Sequence, residues 1–268
     1  MSGKNIIPYP DKTLKRKLDY HYRTFDKSSI SPDPLQFLHL FKEVKDIEIA
    51  GIISSVFAYG NVIQIIKTLE RIFEILGDKP SEFVENFVYE KEAGLFKEIK
   101  HRFYTADDIA KFFRGLHRVY TEDGSLKQMF LMYYFPQEKN LRDAVSFFSR
   151  NLLDASRGKE NPTQGLTFMF PDPAKGSACK RMNLFLRWMI RKDQLDFGLW
   201  YEIPPDKLVI PVDTHVAKIC KELKLTTAKN ISWKMAEEIT ENLKKFDPKD
   251  PVKYDFAICH IGMRKLEF

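Results

Sequence analysis

Extended, β-branched runs are nearly missing from this sequence. Lys207 to Val212 is the one such stretch, and Pro204, Pro205 and Pro211 bracket it tightly, so a sheet has almost nothing to be built from. Cysteine is scarce as well. Cys179, Cys220 and Cys259 lie about forty residues apart, and an odd number at wide spacing gives neither a disulfide framework nor a metal signature. A reducing compartment is the expectation. Eighteen apolar residues never run together, which argues against a membrane span. Met1 to Asp11 lacks the apolar run of a secretory signal, so the protein is expected in the cytoplasm. Six histidines (His21, His39, His101, His117, His215 and His260) are scattered without metal-ligand spacing. Internal repeats and low-complexity tracts are absent.

What remains is helical. With 268 residues, 44% hydrophobic and 30% charged, the chain can bury a sizeable core. Ile49, Ile52, Ile53 and Val56 recur at helical spacing, giving one wide apolar stripe. Beyond Ala58-Tyr59-Gly60-Asn61, a second stripe runs through Ile65, Ile66, Leu69, Ile72, Phe73 and Leu76. It stops at Gly77-Asp78-Lys79-Pro80. Thr105 reads as an N-cap ahead of the acidic first turn Asp107-Asp108, and a further helix is expected over Leu141 to Leu153. Between Ala155 and Gly176, glycines and prolines suggest one long loop. Lys and Arg outnumber Asp and Glu by 43 to 37, a net +6, which suits a nucleic-acid partner without requiring one. The basic run Lys12, Lys15, Arg16 and Lys17 reads as a solvated helix face that can also touch a phosphate.

Two segments carry chemistry. In Pro211-Val212-Asp213-Thr214-His215-Val216, Asp213 stands where an extended piece turns into a helix, since Val216, Ile219, Cys220 and Leu223 share a helical face. A carboxylate there meets free backbone N–H groups and the positive end of the helix dipole. It is either a helix cap and nothing more, or a cap that also does chemistry. In Lys175-Gly176-Ser177-Ala178-Cys179-Lys180, a small-residue turn precedes a helix with Met182, Leu184, Phe185, Trp188 and Met189 on it. Such a turn can aim successive N–H groups at one phosphate. Lys180 then projects from the helix's first turn, where the dipole is expected to lower its pKa. Read alone, Lys180 is a solvated surface lysine and Trp188 a core residue.

Together the two segments resemble the helix-hairpin-helix "GPD" superfamily of DNA glycosylases and AP lyases, the family of endonuclease III and the 8-oxoguanine DNA glycosylases. The hairpin equivalent is Gly176 to Lys180, the following helix Arg181 to Arg191, and the Pro-Val-Asp-x-His segment Pro211 to His215. By that resemblance Lys180 matches the Schiff-base lysine, Asp213 the invariant aspartate, and His215 a structural histidine. Ile49 to Ser55 resembles the helix before the family's DNA-inserting loop, which puts Tyr59, Gly60 and Asn61 where the opposite strand is probed. Tyr254 to Gly262, with its Asp250-Pro251 cap, resembles a late helix of the family. Departures are also legible. The second hairpin glycine reads Ala178, the Lys180-to-Asp213 insert is longer than in endonuclease III, and the four-cysteine motif of that enzyme is missing, so no iron–sulfur cluster or other cofactor is expected.

The resemblance implies an all-α fold of two helical subdomains with a cleft between them. Residues 45–195 are expected to form a helical barrel subdomain with the hairpin, and 1–44 with 206–268 the second. It implies base excision with AP lyase activity on a damaged, leading with an oxidised, base in duplex DNA, by a nucleoid-associated monomer. Lys175, Gly176, Ser177, Ala178, Arg181 and Lys218 are the expected DNA contacts. Trp200 and Tyr201, in the insert, are candidates for stacking on an extruded base. Two other readings stay open: a nucleic-acid-binding module of the same fold without catalysis, and a helical scaffold for protein partners.

Overall fold

A computed structural model describes residues 12–264, with side chains described through Cys259. The Met1 to Asp11 stretch read above for a signal lies outside the described residues, as do residues 265–268 and the side chain of His260. Helices α1 to α9 span Lys12–Thr24, Val44–Phe57, Val62–Leu76, Pro80–Glu85, Tyr89–Glu92, Ala106–Glu122, Leu126–Leu131, Arg142–Arg157 and Gln164–Met169. Helices α10 to α13 span Lys180–Ile190, Thr214–Glu222, Trp233–Lys244 and Asp255–Arg264. No strand forms among the described residues, so the protein is all-α. Of Lys207 to Val212, Lys207 closes a 3-10 turn and the rest is non-helical without a partner strand. Its Leu208, Val209, Ile210 and Val212 side chains are buried, and the Ile210 N–H donates to Thr240 Oγ1 at 3.0 Å instead of to a ladder.

The chain forms two compact units. One holds Met1–Ile30, Gln137–Leu141 and Pro173–Phe268, the other Ser31–Pro136 and Arg142–Asp172. This division differs from the sequence boundaries, which group 45–195 together. The segment after the Gly176 turn belongs instead with the C-terminal helices, because Arg187 of α10 and Arg191 just beyond its end pair with Asp255 and Asp250.

In the second unit, α2 is buried on every side, where the sequence reading gives it a single stripe. Even Asp46 and Glu48 lie inside. Such carboxylates are tolerated only when hydrogen-bonded. Glu48 accepts from Tyr120 Oη at 2.6 Å and from the Leu126 and Lys127 N–H groups, and Asp46 from the Ser81 N–H at 2.8 Å. Thr105 and Asp108 close a reciprocal capping box at the start of α6. The expected long loop is partly helix: α8 continues to Arg157, and α9 is capped by Thr163, whose Oγ1 accepts from the Leu166 N–H. Gly165 fits there because it abuts Asp108, whose carboxylate occupies the space a Cβ needs.

The first unit packs Phe185 edge-on to Trp200, at 5.2 Å between centroids, with Trp188 and Tyr254 also fully buried. Helix α1 buries Leu14 and Leu18, and just beyond its end Phe25 packs against Phe256 of α13 at 5.4 Å.

A tight helix approach in the second unit gives a test. A Cβ at Gly115 of α6 would lie 3.0 Å from the Ser156 Cα of α8 and 2.1 Å from Ser156 Oγ. The helix-propensity gain of Gly→Ala is about 1 kcal/mol, and overpacking costs about 1–3 kcal/mol. Since backbone must move, Gly115→Ala should lose about 1–2 kcal/mol net. Urea denaturation measures it, and a stabilised variant would show that the two helices separate freely.

Candidate functional site

The turn ahead of α10 is held by its own hydrogen bonds. Gly176, at φ +84°, takes a left-handed conformation suited to glycine, and its N–H donates to the Pro173 carbonyl at 3.0 Å. The Gly176 carbonyl accepts from the Trp233 N–H at 3.2 Å. Ser177 Oγ accepts from the Cys179 N–H at 3.2 Å, and Asn183 Nδ2 donates to the Ala178 carbonyl at 3.1 Å. Cys179 is the N-cap at φ +49°, strained for a residue with a Cβ, and is buried. Of this turn, the Ser177 and Ala178 N–H groups have no partner among the described residues. Lys180 is the first residue of α10.

Asp213 is the N-cap of α11, in extended conformation. Its two oxygens have separate tasks. Oδ1 accepts from the His215 and Val216 N–H groups, both at 2.9 Å, and Oδ2 accepts from Lys180 Nζ at 2.7 Å. The first turns of two helices thus meet through one ion pair, whose side chains are 31% and 23% exposed.

Burial disfavours charge on both partners. For Lys180 the Asp213 carboxylate outweighs it, helped by the charges of Cys259 and Asp255, and holds the amine above the usual lysine range. The sequence expectation of a lowered value is therefore corrected: a full negative charge at 2.7 Å exceeds the half-charge of a helix end. Burial likewise pushes Asp213 up, but the Lys180 charge and hydrogen bond, with the Val216 N–H, bring it below the ordinary carboxylate range.

Behind the pair lies a buried ionic cluster that the sequence reading missed. Arg187 donates to Asp196 Oδ1 from Nη2 at 3.2 Å and to Asp255 from Nη1. Arg191 pairs with Asp196, with Asp193 at 3.0 Å and with Asp250 at 2.8 Å. Four carboxylates share two guanidiniums, and burial raises Asp196 and lifts Asp255 to about 6, against the pull of Arg187. The available signal was Arg187 and Arg191, four residues apart and flanking the apolar run Trp188-Met189-Ile190 at the end of α10.

Other expected contacts divide. Lys175, Gly176 and Lys218 are exposed, Ser177 is half-buried and Ala178 is buried. Arg181 is buried at 6% exposure, so it is not a surface phosphate contact. Trp200 is fully buried against Phe185 and has no face for a base, whereas Tyr201 is 80% exposed. The His215 ring is exposed, and its structural part is played by its backbone N–H on Asp213.

Tyr59, Gly60 and Asn61 belong to the other unit. Tyr59 is half-buried rather than free to probe, with the Arg102 guanidinium 4.5 Å and the Phe168 ring 4.7 Å from its ring. Gly60, at φ +109°, leaves room for Arg102, whose Cδ would lie 2.9 Å from a Cβ there. The Asn61 side chain caps α3 by accepting from the Ile63 and Gln64 N–H groups. The neighbouring Phe103 ring is 53% exposed. Among the described residues, no group of three His, Cys, Asp or Glu is placed to hold a metal ion, and no helix is long and apolar enough to cross a membrane.

A family model matches residues 33–264, and the chain belongs to that family, described as a protein of unknown function (DUF2400). No curated protein and no solved structure matches the chain.

Two outcomes follow from the electrostatics. Asp213 contributes stability above the unfolded carboxylate value near 3.8, and loses it as pH falls through its lowered native value. Lys180 contributes below 10.5 and loses it as pH rises through its raised native value. Asp213→Asn keeps a cap acceptor but not the charge. Its urea midpoint should trail the wild type at neutral pH and converge with it in acid; a gap constant with pH would contradict the ion-pair account. Arg187→Met strands Asp255 and part of Asp196, so it should lose about 3–5 kcal/mol, measured in the same way.

Proposed function

We propose that this member of the DUF2400 family is a base-excision enzyme of the helix-hairpin-helix kind, a DNA glycosylase with AP lyase activity. Lys180 is the nucleophile and Asp213 its partner. One observation carries the reading: Lys180 Nζ and Asp213 Oδ2 meet at 2.7 Å from segments more than thirty residues apart. Stability alone is a weak reason for that pair. A half-exposed ion pair is worth about 0–1 kcal/mol, and a lysine in a first turn sits at the wrong end of the helix dipole.

The chemistry starts from an ammonium–carboxylate pair, so Lys180 must first lose a proton. The neutral amine attacks C1′ of the deoxyribose, the bond from C1′ to the base breaks, and the base leaves with the electron pair and takes up a proton. Ring opening then gives an imine between Nζ and C1′. Loss of a C2′ proton expels the 3′ phosphate by breaking the C3′–O bond. Asp213 Oδ2, next to Nζ, stabilises the cationic sugar and relays protons, while Oδ1 stays on the helix cap and fixes the carboxylate's orientation. In this reading the Ser177 and Ala178 N–H groups, with the exposed Lys175 and Lys218, hold the strand's phosphates. Tyr201 is the exposed aromatic surface available to an extruded base. The family resemblance points to an oxidised purine such as 8-oxoguanine in duplex DNA.

A second reading is a binding module without catalysis. It is favoured by the turn itself, where the Gly176 and Cys179 N–H groups are spent on internal bonds.

Borohydride trapping on a duplex with an abasic site decides between them. Wild type should form a covalent adduct and Lys180→Gln none, with DNA affinity kept within several-fold. Because the resting amine is protonated, trapping should speed up about tenfold per pH unit through neutral pH. DNA binding without any adduct leaves the module reading, and full trapping by Lys180→Gln removes Lys180 from the chemistry.

A further inference from the structure

Helix α1 takes no part in the chemistry above, yet its outer face carries a row of exposed cations. Lys12, Arg16, Tyr20 and Arg23 follow one another at i, i+4, i+8 and i+11, on one side of the helix. Leu14 and Leu18 on the other side are buried. Lys12, Arg16 and Arg23 are exposed and have no carboxylate partner among the described residues. The helix carries a single acid, Asp19, and it is fully engaged. Its Oδ2 accepts from Lys15 Nζ at 2.6 Å, its Oδ1 accepts from Tyr254 Oη at 2.8 Å, and Lys253 Nζ lies 3.7 Å away. Tyr20 stands among the free cations at 63% exposure, beside an open depression of about 410 Å³ lined by these residues.

We infer that this ridge of α1 is a second nucleic-acid contact surface, gripping the phosphate backbone of a DNA strand with Lys12, Arg16 and Arg23. The inference rests on the DNA reading of the same unit and adds a footprint to it.

Three considerations select this occupant. From Lys12 to Arg23 the helix rises roughly 16 Å at about 1.5 Å per residue, and a DNA strand presents about one phosphate per 3.4 Å of axis. The spacing therefore matches several successive phosphates. A membrane is a poorer partner, because an interfacial helix needs its apolar face free, and here that face is spent on the protein's own core. The ridge is also fixed in place: Tyr22 Oη donates to Asp193 at 3.3 Å and Tyr254 holds Asp19, so binding orders little new. Tyr20 adds an aromatic face of the kind that stacks on a base or sugar.

Fluorescence anisotropy of a labelled DNA duplex, titrated with the full chain across a salt series, tests it. Each lost phosphate contact lowers the slope of log K against log salt by about 0.9. Arg16→Gln/Arg23→Gln should therefore reduce the slope by about 1.8 and weaken binding at least about tenfold at moderate salt. Tyr20→Ala should weaken binding at every salt concentration without changing the slope. Imine trapping at saturating DNA should be unchanged in both variants. An unaltered slope in the double variant, alongside an intact adduct, overturns the inference and leaves the enzyme reading standing. Wild-type binding that the double variant loses, without any adduct, supports the inference while the enzyme reading fails. If the substitutions instead abolish binding to phosphatidylserine vesicles, or to an acidic peptide, and spare DNA, the surface belongs to another partner and the inference is wrong.

Discussion

Two arginines one helical turn apart hold the first unit together. Arg187 and Arg191 reach from the last turn and C-cap of α10 to the turn after it through Asp193 and Asp196, to the segment before α13 through Asp250, and to the first residue of α13 through Asp255. Buried charge is costly unless every partner is met, and here one cluster satisfies the guanidiniums from three pieces of chain. The register of α10 is set by that requirement, and Lys180 begins the same helix two turns earlier. Lys180 is therefore positioned by residues that are themselves buried. A net excess of carboxylate in the cluster also adds negative potential behind the site, which agrees with Asp255 raising the Lys180 value.

At the ion pair, competing fields act on one amine. The helix dipole and burial both favour a neutral lysine, and the carboxylate opposes them at contact distance. The carboxylate wins. The resting site is therefore poised as a charge pair rather than as a free nucleophile. Asp213 survives as an anion because backbone N–H groups and an ammonium share its two oxygens, each oxygen with its own geometry.

Much of this was legible from residue order. The α3 boundary at Gly77, the Thr105 cap, the helix after Asp213 and the start of α10 at Lys180 all follow from local rules of capping and periodicity, which act within a few residues. So does the all-α class, since a single extended run cannot pair with itself. What local rules could not reach was depth. Trp200 and Tyr201 are adjacent and look alike in sequence, yet one is core and the other surface, and only long-range packing decides which. Arg181 was misjudged for the same reason. Ala155 to Gly176 read as one loop because of its glycines and prolines, whereas at Gly165 a contact with Asp108, far away in sequence, makes glycine necessary within a helix. The cluster around Arg187 joins residues up to 68 apart, and no periodicity announces such a partnership.

The way the two units thread through the chain has a temporal consequence. The second unit is nearly continuous, from Ser31 to Asp172 with only Gln137–Leu141 lent to its neighbour. The first unit joins α1 to α10–α13 across that whole span. On a ribosome, where chains emerge from the N-terminus and units fold as they become complete, the continuous unit can close while α1 still lacks its partners, α13 and the Pro251–Tyr254 turn before it. Tyr254 and Phe256 are among the last described residues to emerge, and until they do, Tyr22, Phe25 and Asp19 have no core to join. Lys180 and Asp213 are thus brought together late in the birth of the molecule. A stalled or truncated nascent chain would carry a folded second unit and no assembled site.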